Sequence, residues 1–213
     1  MKDMKEVVLR GKHISLKIYL KKALDLVFPF PILLFIDDNL IAGTCWIGED
    51  GNKKLYPIQG DPTGIIQEFL YCCDFLINSK ELEGGGFIGN LREYARKLDF
   101  PIKRNTKLYF TSLVIYLGEY IFELNGNIIN VHYNNIPLKD TNCPEFIGNW
   151  KGTVSVPLND FVQDVLSLSK KYIEEIAPVE AKILVELGEK EEVIAAKLAL
   201  LRRLRRRVEF SEV

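Results

Sequence analysis

The chain has 213 residues, 47% of them hydrophobic and 27% charged, and its basic and acidic side chains nearly cancel at a formal net charge of −1. That is enough apolar material for a real core in one large or two small globular units. The balanced charge gives no global field for nucleic acid or an acidic membrane, so either kind of binding needs a local patch.

The longest apolar stretch, 23–36, carries Asp25, Pro29 and Pro31. It is shorter than the ~20 residues that cross a bilayer, so no transmembrane helix is expected. The opening Met1-Lys2-Asp3-Met4-Lys5-Glu6 runs into alternating sequence without an apolar segment and a small-residue cleavage site. The expectation is therefore a chain without a signal peptide, located in the cytoplasm. A composition rich in Ile, Leu, Lys and Glu with three Gln leans towards a thermophilic source.

From the N-terminus, Val7 and Leu9, then Ile14, Leu16, Ile18 and Leu20, alternate as half-buried strands do, with a hairpin at Gly11-Lys12. The two prolines interrupt the following apolar run and predict a crossover turn. Next comes a three-stranded meander over 32–36, 40–47 and 54–58, with turns at Asp37-Asp38-Asn39 and Glu49-Asp50-Gly51. Asp61-Pro62-Thr63 opens a helix, proline being tolerated in a first turn. Its apolar face is Ile65, Ile66, Phe69, Leu70, Cys73, Leu76 and Ile77.

Gly84-Gly85-Gly86 reads as a hinge ending that helix, and Asn90 with Glu93 as the capping box of a short helix over 91–98. Gly84, Gly86 and Gly89 fit the dinucleotide-binding spacing letter for letter. That motif needs a strand before the first glycine, and here a helix is expected, so no cofactor is assigned. The stretch 108–117 is apolar on both alternations and predicts a central strand covered on both faces.

The most legible segment is 120–173. Asn125-Gly126 sits between apolar runs and predicts a type I′ hairpin. A further strand over 153–156 leads to a helix capped by Asn159. Phe35 to Asn39 can be aligned with Phe122 to Gly126 at an offset of 87, and Ile66-Gln67-Glu68 with Val162-Gln163-Asp164 at an offset of 96. Two related meander-plus-helix units would produce this pattern, and so would chance likeness between two ordinary segments. Beyond them, Pro178 restarts a helix. Ile183, Leu187, Ile194, Leu198, Leu201, Leu204 and Val208 form its stripe, interrupted by Gly188. This tail is expected to pack on the body and then project, or to pair with a second copy.

The expected fold is α+β: a largely antiparallel sheet from two related β-meander-plus-helix units, helices packed on one face, and a C-terminal helical extension. The units are 1–83 and 106–177, joined by a Gly-rich hinge and short helix over 84–105 and followed by the tail over 178–213.

Candidate chemistry is sparse. Cys45, Cys72, Cys73 and Cys143 form no Cys-x-x-Cys pair and read as buried, reduced thiols. His13 and His132 are the two histidines, and His132 reads as a strand-surface residue. No Gly-x-Ser-x-Gly, His-Glu-x-x-His or P-loop is present. Asp37-Asp38 and Glu49-Asp50 read as turn residues rather than metal ligands. No catalytic, metal or cofactor residue is therefore assigned.

Two surfaces stand out. Arg202, Arg203, Arg205, Arg206 and Arg207 form the densest charge cluster and suit contacts to phosphate. Seven glutamates between Glu174 and Glu192 precede them, which equally suits a helix dipole and ion pairs with a neighbouring helix. Tyr133, Phe146 and Trp150, with Trp46, form either a protein-binding rim or a plug at the end of a sheet. The functional expectation is a non-enzymatic cytoplasmic interaction or assembly module that oligomerises or docks a protein partner through Leu198, Leu201 and Leu204. The alternative is a nucleic-acid-associated accessory protein using the arginines.

Overall fold

The computed structural model describes residues 5–20, 30–87, 89–111 and 118–211. Strands β1 (Lys5–Arg10) and β2 (Ile14–Leu20) pair antiparallel, with every second residue of β2 buried. Strand β3 (Phe30–Ile36) pairs with β2 and turns through Asp37-Asp38 into β4 (Asn39–Ala42).

The strand expected over 40–47 is broken at Gly43, which takes φ +130°. A Cβ there would stand 2.4 Å from the Leu33 side chain, so glycine is what lets the chain leave the sheet. The next segment, β5 (Thr44–Ile47), pairs instead with β6 (Lys53–Tyr56) as a separate two-stranded ribbon, and β7 (Ile58–Gly60) returns to β3. Helix α1 (Pro62–Asn78) follows, with Pro62 in its first turn. Six of its seven predicted core positions are buried, and Ile77 is half-buried.

A second sheet runs in the order β12-β11-β10-β9-β8. Its members are β8 (Glu83–Gly85), β9 (Lys107–Thr111), β10 (Gly118–Asn125), β11 (Ile128–Asn135) and β12 (Lys151–Pro157), with helix α2 (Leu91–Lys97) between β8 and β9. All pairings in it are antiparallel except β8 with β9. Gly84 and Gly85 therefore lie in an edge strand, not in a hinge between helices. Gly85 takes φ +95°, and a Cβ on it would overlap the Phe110 carbonyl.

The α2 cap is as read, with Asn90 Oδ1 accepting from Glu93 N at 2.9 Å. The hairpin tip is one residue further along than expected. Asn125 pairs with Ile128, and Gly126 takes φ +60° as the first of two loop residues, the arrangement of a II′ turn.

Helix α3 (Leu158–Lys171) begins one residue before the predicted Asn159 cap and passes through a π-helical stretch, Tyr172–Ile176, into α4 (Ala177–Glu186). Gly188, at φ +96°, ends that run, and α5 (Glu191–Glu209) turns back. Helices α1, α3 and α5 share one core with the inner faces of both sheets. The opposite face of the second sheet, at Leu108 and Ile121, is covered by α2 and Phe100. Strand β9 is thus covered on both sides, as expected; the rest of the predicted strand, 112–117, and the crossover over 23–29 lie outside the described residues.

Asp164 ties the two halves together. From α3 it accepts the backbone N–H groups of Lys12, His13 and Ile14 at 2.6, 2.6 and 2.8 Å. A Cβ on Gly11 would lie 2.3 Å from that carboxylate, so the turn approaches only because glycine is there. Among the described residues, no helix is long and apolar enough to cross a membrane.

Candidate functional site

Helix α5 has two opposed faces. Leu201, Leu204 and Val208 are buried against α1 and α3, and burial of this kind contributes roughly 1.5–3 kcal/mol per side chain. At about 100° per residue, Arg202, Arg203, Arg206 and Phe210 fall within about a 100° arc on the other side. All four are exposed, Phe210 at 83%.

The five arginines divide by their partners. Arg207 reaches Asp74 of α1 at 2.8 Å, and Arg205 folds back on Glu209 at 3.0 Å. Arg202, Arg203 and Arg206 have no carboxylate partner among the described residues. A shallow groove on one side of this ridge is lined by Ala199, Arg203, Arg207 and Phe210. Its counterpart on the other side includes Lys170 of α3, Glu174 and Arg205. No aromatic is interleaved with the arginines in the sequence; Phe210, which caps the C-terminal end of α5, lines the same groove as Arg203 and Arg206.

No family model matches the chain, no curated protein matches it, and no solved structure matches it. The case for function therefore rests on these side chains.

The leucine seam is corrected. Leu201 and Leu204 are 0% and 2% exposed and belong to the chain's own core, so neither is open to a partner. Leu198 is half-buried at the rim of a groove between α4 and α5.

The aromatic rim is corrected in part. Tyr133 is buried, while Phe146 and Trp150 are half-buried in a small cluster with Leu33, Leu40 and Leu138. Trp46 is 48% exposed.

At the centre of that cluster Cys45 and Cys143 form a disulfide across 98 residues, which corrects the expectation of four reduced thiols. The sulfurs meet because β5 docks on the segment after β11. Thr44 Oγ1 donates to the Pro137 carbonyl at 2.7 Å, and Asn142 brackets Ile47, accepting from its N–H at 2.6 Å and donating to its carbonyl at 2.8 Å. Cys72 and Cys73 are free and buried in α1.

His132 is not on a surface. It is 1% exposed, stacked on Phe100, with Nε2 3.3 Å from Glu123 Oε2 and Nδ1 2.8 Å from Thr153 Oγ1. A neutral ring donating from Nε2 and accepting at Nδ1 suits both partners, and burial lowers its pKa despite the nearby carboxylate. Burial alone would raise Glu123. Hydrogen bonds from Asn130, Thr106, the Lys103 N–H and His132 outweigh it and hold this carboxyl below its ordinary range.

A third polar cluster sits where the β1–β2 and β3–β4 turns meet α3. His13 bridges Asp37 at 2.7 Å and Asp160 at 3.3 Å, and Lys12 reaches Asp160 at 2.6 Å. The Asp37 hydrogen bond leads in raising the His13 pKa. These contacts fasten turns to a helix. Among the described residues, no group of three or more His, Cys, Asp or Glu side chains is placed to hold a metal ion.

Proposed function

We propose that this is a non-enzymatic, nucleic-acid-associated accessory module that docks a phosphate backbone on the outer face of α5. The observation that carries the reading is the set of Arg202, Arg203 and Arg206, exposed and without carboxylate partners on the face opposite the helix's core side. Arginine offers a planar fork to phosphate, and three or four such contacts are of a size to give salt-sensitive binding. Phe210 adds a ring on which an unstacked base can lie, which favours single strands over duplex.

The cytoplasmic setting and thermophilic source expected from the sequence are compatible with the Cys45–Cys143 bridge, since intracellular disulfides occur in proteins of organisms that grow at very high temperature.

Fluorescence anisotropy with single-stranded and duplex oligonucleotides tests the reading. Three phosphate contacts give a slope of log K against log salt of about −2 on single strands. Replacing Arg202, Arg203 and Arg206 with glutamine abolishes the binding without unfolding the chain, because none of the three is in the core. Phe210→Ala weakens single-strand binding more than duplex binding. Absence of any shift for the unaltered protein at low salt overturns the proposal.

A further inference from the structure

Where α3 passes through the π-helical stretch into α4, a cleft of about 460 Å³ opens between this run and α5. Lys170 of α3 and Glu174 of the π-helical stretch stand on one wall, and Arg202, Arg205 and Arg206 on the other. Four cations against one carboxylate leave the lining at +3; Glu209, which pairs with Arg205 but does not line the cleft, brings the local charge to +2. Lys170, Arg202 and Arg206 have no carboxylate partner among the described residues.

Arg205 shows that the cleft is short of an acceptor. Its Nη1 and Nη2 donate to Glu209 at 3.0 and 3.4 Å, while its Nε is buried and has no hydrogen-bond partner among the described residues. Enclosed polar groups are nearly always bonded, so an orphan donor on a basic wall calls for an anion. The competing contact is weak, because an ion pair along one helix with Glu209 44% exposed contributes little. The guanidinium fork matches phosphate, so a phosphate in the cleft can draw Arg205 off Glu209 and give its Nε–H an acceptor.

Charge and shape distinguish one kind of phosphate from another. An internal phosphodiester carries one negative charge and continues on both sides, which suits the open ridge. A phosphomonoester carries nearly two at neutral pH and offers three free oxygens, which suits a walled cleft of local charge +2. Beyond the phosphate, Ile173 and Pro178 give the attached sugar an apolar contact. Arg202 and Arg206 line both this cleft and the groove that holds Phe210, so the two surfaces are continuous. We infer that the cleft seats the terminal phosphate of a single strand whose internal phosphates lie on the arginine ridge. The inference rests on the ridge reading and adds a ligand class to it.

Fluorescence anisotropy on the full chain, with one internally labelled oligonucleotide carrying a 5′-phosphate, a 3′-phosphate or neither, provides the test. Calorimetry with adenosine monophosphate reads the cleft alone. A phosphate at one end should tighten binding at least about tenfold. Lys170→Gln should remove most of that preference, and Glu174→Gln and Glu209→Gln should each increase it. Circular dichroism should be unchanged, since all three side chains are exposed. Strands that bind equally with and without a terminal phosphate overturn the seat and leave the ridge reading standing. A preference unaltered in Lys170→Gln also overturns it. If no strand binds, the ridge reading fails and calorimetry decides: monophosphate binding that is lost in Lys170→Gln supports the seat with a free nucleotide as its ligand, and absence of binding overturns it.

Discussion

Tyr172, at the head of the π-helical stretch, donates its phenol to the carboxyl of Glu180, two helical turns further on. Thr63, in the first turn of α1, has its Oγ1 2.6 Å from that phenol and 3.0 Å from Glu180 Oε1. Three elements thus meet at one buried acid, 3% exposed, where the wider π turn swings Tyr172 towards α4.

Burial raises Glu180 to about 7, and the nearby Asp61 carboxylate acts in the same direction; Tyr172, Thr63 and Lys197 oppose it. A pKa raised above the unfolded value means that the native state binds the proton more tightly. The stability contribution is complete below the ordinary carboxyl range and is lost as pH rises through about 7. Glu180→Gln keeps the hydrogen bonds and cannot ionise. Urea midpoints measured from about pH 5 to about pH 8 should fall more steeply for the unaltered protein than for the variant. Parallel curves would show that Glu180 does not titrate in that window.

The disulfide between Cys45 and Cys143 closes a loop of nearly half the chain, with a sequence separation of 98. Closing a loop of that length restricts the unfolded ensemble and typically stabilises by roughly 3–5 kcal/mol. The Cys45→Ala/Cys143→Ala variant should lose about that much in urea denaturation, with local exchange protection lost first in β5 and β6. Thiol titration of the unreduced, unfolded chain should detect Cys72 and Cys73 alone. Four reactive thiols would remove the bridge from the native protein.

What the sequence made legible was local. The α1 stripe, the Asn90 cap and the alternation in β2 each depend on residues a few positions apart, where periodicity and turn chemistry act directly. Long-range contacts decided the rest. Cys45 finds Cys143 only because Asn142 and Thr141 bind the β5 backbone, and His132 is buried only because the segment carrying Phe100 and Lys103 folds over it. Asp164 looked like an ordinary polar position on a helix, yet its partners lie about 150 residues away. The arginine ridge follows from helical spacing, but which arginines are paired depends on Asp74 in a different helix. Likewise, the leucine stripe indicated a buried face without showing that α1 and α3 bury it.

Glu123 and His132 should govern the acid limb of stability. Both pKa values are lowered, so each group contributes stability that is lost as pH falls: His132 from its unfolded value near 6.5 downwards, Glu123 from about 4.5 downwards. Glu123→Gln removes the carboxylate that collects the Lys103 N–H, Thr106 and Asn130, at a cost of roughly 2–4 kcal/mol near neutral pH. It should also flatten the acid unfolding curve below about pH 4.5. If the variant and the unaltered protein show the same acid midpoint and slope, the buried pair does not control that limb.

Asp164 offers the sharpest distinction between a charge effect and a hydrogen-bonding effect. Its Oδ1 accepts from Lys12 N, and its Oδ2 accepts from both His13 N and Ile14 N. An asparagine at this position has one acceptor oxygen, and its amide group must face at least one of those donors whichever way it is turned. Asp164→Asn should therefore destabilise nearly as much as Asp164→Ala, by about 3 kcal/mol, since buried N–H groups lose their acceptor in both. Hydrogen exchange at Lys12, His13 and Ile14 should accelerate in both variants, while exchange in the β10–β11 hairpin changes only with global stability. An Asn variant as stable as the unaltered protein would mean that the β1–β2 turn is held by its own packing and that Asp164 is dispensable.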